Sequence, residues 1–173
     1  MIAWNGTSAS WLGFDRDETL CERITAATGI NACTSILAFR EIFQRTGVAR
    51  VGLVTPYIGD IQVRIASNWA ASGFDCKAER HLGLQDNFSF AEATEKEVAG
   101  MVRKVASEGC DAVAIVCTNM RGAGLVERME QELGIPIYDS VAVTLWKSLS
   151  TAGVDASQVI GWGSLFRDAW SHV

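Results

Sequence analysis

Six glycines, Gly29, Gly47, Gly73, Gly109, Gly134 and Gly153, punctuate this chain, and each ends a stretch whose apolar residues recur at helical spacing. Those stretches are 16–28, 36–46, 60–72, 92–108, 122–133 and 141–152. Between them stand short apolar runs that read as buried strands: 48–54 (VARVGLV), 112–116 (AVAIV), 135–138 (IPIY) and 158–162 (QVIGW). Helices alternating with continuous apolar strands specify an α/β fold with parallel sheets, because strands covered on both faces are apolar throughout.

The pattern repeats. Segment 28–54 resembles segment 133–162, each running helix end, Gly-Ile, short strand, small polar residue, helix, Gly-Val, apolar strand. This register sets Cys33 opposite Tyr138 or Asp139. One helix earlier in each copy, MIAWNGTS falls opposite VAIVCTNM, so Gly6 corresponds to Cys117 and Thr7 to Thr118.

Composition removes several classes of function. A formal charge of −5 over 173 residues, with no basic stripe, argues against a nucleic-acid partner. No apolar run reaches the ~20 residues of a membrane helix. The first residues lack the basic start and apolar stretch of a secretory signal. No membrane partner is expected, and the expected location is cytoplasmic. Five cysteines, an odd count, do not read as a disulfide framework. None stands at zinc-knuckle spacing, and His81 and His172 lack ligand-like neighbours, so no metal site is expected.

Three stretches offer thiols and hydroxyls for chemistry: NGTSAS (5–10), NACTSI (31–36) and VCTNM (116–120). The repeat demotes Cys33, which it places at a secondary strand end as a structural residue. Cys117 follows a buried parallel strand, and so falls at the carboxyl edge of a sheet, where open α/β folds bind ligands. A helix from about Gly122 points its amino end back toward that edge, a field that favours an anion and eases ionisation of a thiol. NGTS reproduces the layout in the first copy, with hydroxyls on Thr7 and Ser8.

The ordered set GTS (6–8), TPY (55–57), GLQDN (83–87), CTN (117–119) and TLW (144–146) resembles the aspartate/glutamate racemase superfamily. Within it the chain is similar to the maleate cis–trans isomerase and arylmalonate decarboxylase branch. ERHLGLQDNFSF and IVCTNMRGAG resemble the A component of the ectoine-utilisation proteins of that branch. The resemblance implies two lobes with parallel sheets, related by a pseudo-twofold axis, with the site in the crevice between them. Lobe one would hold 1–47 plus 157–173, and lobe two 48–156. Members run further at the amino end by roughly 65–70 residues, about two strand–helix units, so the first lobe is expected to be N-terminally incomplete.

The resemblance also implies roles. Two-base members pair cysteines on opposite faces of the substrate. Gly6 stands at the first of those positions and only Cys117 keeps a thiol, which disfavours two-base racemisation. A lone cysteine serves as acid toward an enediolate, as in arylmalonate decarboxylase, or as nucleophile on an activated double bond. Thr7 and Ser8 would hold one carboxylate, with Tyr57 donating its phenol to the same dianion. Thr118 would add a donor beside the acid, and Asn87 would bind a second polar group. The implied enzyme needs no cofactor, acts on a small carboxylate or dicarboxylate, and serves ectoine or amino-acid breakdown. A homodimer or higher oligomer is compatible with it.

Competing readings are a carboxylate-binding accessory subunit with impaired catalysis, and an aspartate, glutamate or hydantoin racemase. GWGSLF (161–166) mimics a dinucleotide fingerprint but has Phe166 where the third glycine belongs. His81 with Cys117 lacks a third orienting group for a hydrolase triad. Of the tryptophans Trp4, Trp11, Trp69, Trp146, Trp162 and Trp170, most are expected in core or interlobe packing, and no aromatic-ligand pocket is built from them.

Overall fold

The structure, a computed structural model, describes residues 1–167. Residues 168–173, and with them Trp170 and His172, lie outside the described residues. The chain begins with β1 (Ile2–Trp4), α1 (Ala9–Leu12), α2 (Phe14–Thr28), β2 (Ala32–Thr34) and α3 (Ser35–Thr46). There follow β3 (Val51–Thr55), α4 (Gly59–Ala71), β4 (Glu79–His81), α5 (Asn87–Glu92), α6 (Glu95–Ser107) and β5 (Ala112–Ile115). The last elements are α7 (Val126–Leu133), β6 (Ile137–Asp139), α8 (Ser140–Thr151) and α9 (Ser164–Arg167).

Local chemistry sets the helix ends. Thr34 caps α3 by accepting the Leu37 N–H at 3.1 Å, and Gly47 closes that helix in the left-handed conformation, at φ 69°. Thr94 and Glu97 form a reciprocal capping box on α6. Glycine spacing therefore predicted helix ends well. Helix 92–108 is the exception in detail, because Thr94 starts a new helix and separates α5 from α6.

Two parallel sheets result. One pairs β1 with β2; the other runs in the order β4-β3-β5-β6. Its middle strands are apolar on both faces: Val51, Leu53, Val54 and all of Ala112–Ile115 are at most 1% exposed. At Gly52 a Cβ would stand 2.8 Å from the Cys110 sulfur and 2.9 Å from Val105, so glycine lets α6 seat closely on β3.

The repeat has a physical counterpart where α3 packs against α8. Thr34 caps the one helix and Asp139 the other. The Ser35 hydroxyl, next in sequence, donates to the Ser140 carbonyl at 3.2 Å. Equivalent caps set Cys33 against Tyr138, the first of the two registers expected.

One strand expectation fails, and one strand was not foreseen. The segment 158–162 forms no strand: Gly161 (φ 87°) turns the chain and Ile160 is 85% exposed, so nothing holds it in a sheet. Conversely β4, with sequence ERH, carries no apolar signal because it is a short edge strand. The tail expected with lobe one is tied, as far as residue 167, to α7. Glu127 accepts from the Gly163 N–H at 2.8 Å, and Glu130 from the Ser164 N–H and hydroxyl at 2.6 and 2.8 Å.

Candidate active site

Strand order fixes where a ligand can bind. From β3 the chain moves outward to β4, then returns to lay β5 on the other side of β3. The carboxyl ends of β3 and β5 thus diverge at a topological switch point. Tyr57 follows β3 and Cys117 follows β5, each two residues past its strand. From the second sheet, β1 delivers Gly6, Thr7 and Ser8 to the same place. Gly6, Thr7, Ser8, Tyr57, Asn87, Cys117 and Thr118 all line one cavity of about 540 Å³.

Each side chain is anchored from behind. The Thr55 hydroxyl donates to Gln62 at 2.6 Å and accepts the Tyr57 N–H at 3.3 Å, which fixes the turn carrying the phenol. Ser140 donates to the Ile115 carbonyl at 2.9 Å and steadies the strand leading to Cys117. Thr144 donates to Asn5 at 2.7 Å and holds the end of β1 on α8. Asn119 donates to the Asn87 carbonyl at 3.2 Å, which ties the 83–90 loop to the Cys117 turn. Ser8 occupies the cap position of α1, yet its hydroxyl makes no capping bond and remains available to a ligand.

Thr7 Oγ1 and Tyr57 Oη are 2.8 Å apart in a buried contact. The phenol and the Cys117 thiol each shift the other's proton affinity, so hydroxyl, phenol and thiol stand in one electrostatically linked group. Burial pushes the Tyr57 phenol far above its ordinary range, and the neighbouring Cys117 adds to the shift. Burial likewise raises the Cys117 thiol, against the lowering effect of the Asn119 and Met120 N–H groups and the Tyr57 phenol; Asp139 raises it further. Easier ionisation at 117 was expected, and the structure reverses it. The turn after Cys117 enters a 3-10 segment (Ala123–Leu125) before α7, so no helix begins at the sulfur, and desolvation prevails. At neutral pH Cys117 is a thiol, suited to giving a proton.

Among the described residues no lysine or arginine lines the cavity. An anion there must be held by hydroxyls and N–H groups. Trp4, Trp11, Ile58, Ile61, Leu84 and Phe90 supply the apolar part of the lining. Trp11 and Phe90 each set a ring edge to face against Tyr57, with centroids 5.1 and 5.3 Å away. Most of the tryptophans were expected in core or interlobe packing and none in a ligand pocket, yet Trp4 and Trp11 line this cavity. Position was the available signal, since both lie within four residues of GTS. Gln85 and Asn119 also line the cavity and had not been singled out.

The decoys lie elsewhere. Cys33 is buried with its sulfur 3.7 Å from the Ser148 hydroxyl, outside the cavity. His81 pairs with Glu79 at 3.0 Å. Among the described residues no group of three or more His, Cys, Asp or Glu side chains is placed to hold a metal ion, and no helix is long and apolar enough to cross a membrane.

Known proteins share the sequence family and the fold. Residues 1–166 match the family model described as arylmalonate decarboxylase. The arylmalonate decarboxylase of Bordetella bronchiseptica is 25% identical over 172 residues, covering 98% of this chain and 72% of that protein. The maleate isomerase of Nocardia farcinica is 29% identical over 119 residues, 68% of this chain and 47% of its own length. Unliganded arylmalonate decarboxylase superposes with a TM-score of 0.82 at 26% identity, covering 93% of this chain and 71% of that one. A maleate isomerase from Pseudomonas putida with maleate superposes at 0.90 and 20% identity, covering 98% and 70%. The chain thus spans between about half and three quarters of the lengths of these relatives.

Proposed function

This chain belongs to the arylmalonate decarboxylase family, and on that premise we propose that it is a cofactor-independent enzyme in which Cys117 protonates an enediolate formed from a small carboxylate. The observation that carries this reading is a cavity in which Cys117 is the one thiol among the described lining residues, together with the hydrogen-bonded Thr7 and Tyr57 hydroxyls and a glycine at position 6.

For a malonate the chemistry balances simply. The bond from the α-carbon to one carboxyl breaks and carbon dioxide leaves. The electron pair passes to the remaining carboxylate as an enediolate, and its two oxygens accept from Thr7, Ser8 and Tyr57. Preorganised donors at developing charge account for much of such catalysis. The α-carbon then takes the Cys117 proton, and water reprotonates the thiolate. A raised thiol affinity for protons suits a group that must hold its proton until the carbanion forms. Asn87 and Thr118 would add polar contacts at the rim.

A second reading makes Cys117 the nucleophile of a cis–trans isomerisation. The sequence relationship to maleate isomerases supports it; the lack of a cation for a second carboxylate among the described lining residues weighs against it. ERHLGLQDNFSF and IVCTNMRGAG support membership of the ectoine-utilisation subfamily, and with it a cytoplasmic role in ectoine or amino-acid breakdown.

Phenylmalonate in deuterated water tests the proposal. Turnover to singly α-deuterated phenylacetate is expected, falling about 10³-fold in Cys117→Ser. Undiminished turnover in that variant would sink it. A mass increment of one maleate on Cys117, with fumarate released, would favour the nucleophilic reading. Binding without any turnover would favour an accessory carboxylate-binding subunit.

A further inference from the structure

Gly6 is required by space, not by its backbone, since it is absent from the glycines with positive φ. A Cβ at residue 6 would stand 2.6 Å from both Cε2 and Nε1 of Trp4, and 2.8 Å from Cζ2. A side chain at 6 and the indole of Trp4 compete for one volume, and in this chain the indole has it. Trp4 is 49% exposed and lines the Cys117 cavity, so part of its ring is open to a ligand.

The rest of the lining is mixed. Thr7, Ser8, Tyr57 and Cys117 offer donors for one carboxylate, Gln85, Asn87, Thr118 and Asn119 are polar but uncharged, and Trp11, Ile58, Ile61, Leu84 and Phe90 are apolar. A second carboxylate would be desolvated with no cation among the described lining residues to meet it, which is costly. A flat apolar group would gain contact area and ring stacking.

We propose that Trp4 is a specificity-determining residue: its indole, admitted by Gly6, forms the face on which the apolar substituent of a carboxylate substrate lies. Trp4 thereby fills the position from which a side chain at residue 6 would reach the substrate. This inference rests on the carboxylate site described under the proposed function, but it concerns binding and not the proton transfer.

Calorimetric titration with phenylacetate, acetate and succinate tests it, since none of the three needs to react. Wild type is expected to bind phenylacetate more tightly than either of the others. Trp4→Ala should weaken phenylacetate about tenfold, or 1.4 kcal/mol, and leave acetate unchanged. Trp4→Phe should restore most of the loss, a rescue that a merely structural residue would not give. Gly6→Ala should mimic Trp4→Ala, because its methyl displaces the ring. Equal phenylacetate affinity in wild type and Trp4→Ala, failure of Trp4→Phe to rescue, or tighter binding of succinate than phenylacetate by wild type would each overturn the inference. Loss of turnover in Cys117→Ser with these affinities unchanged would uphold both readings. Undiminished turnover in that variant, with the Trp4 pattern intact, would remove only the proton-transfer role.

Discussion

The Thr7 and Tyr57 hydroxyls meet at 2.8 Å although one follows β1 and the other β3, strands of different sheets. Their contact joins the two walls of the cavity, and Cys117 adds to the upward shift that burial gives the phenol.

Tyr57→Phe keeps the ring against Trp11 and Phe90 but removes the shared hydroxyl. A stability loss of about 1 kcal/mol is expected from denaturant melts. Turnover of phenylmalonate should fall by about 10²-fold, the usual cost of one oxyanion donor. Thr7→Val with Tyr57→Phe should lose less stability than the two single changes added, because each alone strands a buried partner.

Asp139 is fully buried; its Oδ1 accepts the Val141 and Ala142 N–H groups of α8, and its Oδ2 has no partner. Burial pushes its carboxyl up to about 7 from an ordinary 3.8. Between those values the folded protein holds a proton that the unfolded chain has released. Stability is therefore lost as pH rises from about 4 through about 7. Asp139→Asn keeps a capping oxygen without the charge. Its melting temperature should rise relative to wild type on going from pH 5 to pH 8. Asp17, shifted the same way by burial, cancels in that difference. A constant difference across the range would contradict the assignment.

Asp139 also holds the Cys117 thiol up. In Asp139→Asn, alkylation of Cys117 by iodoacetamide, located by peptide mass spectrometry, should reach its half-maximal rate at lower pH than in wild type.

Gly122 closes the turn after Cys117 with a Cβ position 2.7 Å from Asp139 Oδ2 and 2.8 Å from Ile115. Gly122→Ala must push apart buried groups under the thiol. A cost of about 1–3 kcal/mol is expected in denaturant melts, with turnover reduced and phenylacetate binding less affected.

Gly6→Cys places a second thiol in the volume held by Trp4. Interconversion of the enantiomers of 2-phenylpropionate, followed by chiral chromatography, should be faster in the Trp4→Ala, Gly6→Cys pair than in Gly6→Cys alone.

The sequence displayed its site because parallel strands are short apolar runs and the residues two or three places beyond them fall on one edge. Gly6, Thr7, Tyr57, Cys117 and Thr118 were findable by that rule alone, and Asn87 by its motif. Long-range packing hid the remainder. β4 is a charged edge strand without a hydrophobic pattern, and 158–162 is apolar yet unpaired because its glycines turn the chain. Whether a tryptophan faces core or cavity depends on the meeting of two sheets, and for Trp4 and Trp11 the one local signal is their place beside GTS. The proton affinity of Cys117 was misjudged for a similar reason. A helix amino end was visible in the sequence, whereas the depth of burial was not.

A crystal structure with phenylacetate in the cavity tests the central claim most directly. The account predicts the carboxylate within hydrogen-bonding distance of the Thr7, Ser8 and Tyr57 hydroxyls, the ring on Trp4, and the Cys117 sulfur as the group nearest the α-carbon. A carboxylate bound away from those hydroxyls, or a Cys117 sulfur turned from the ligand, would contradict it.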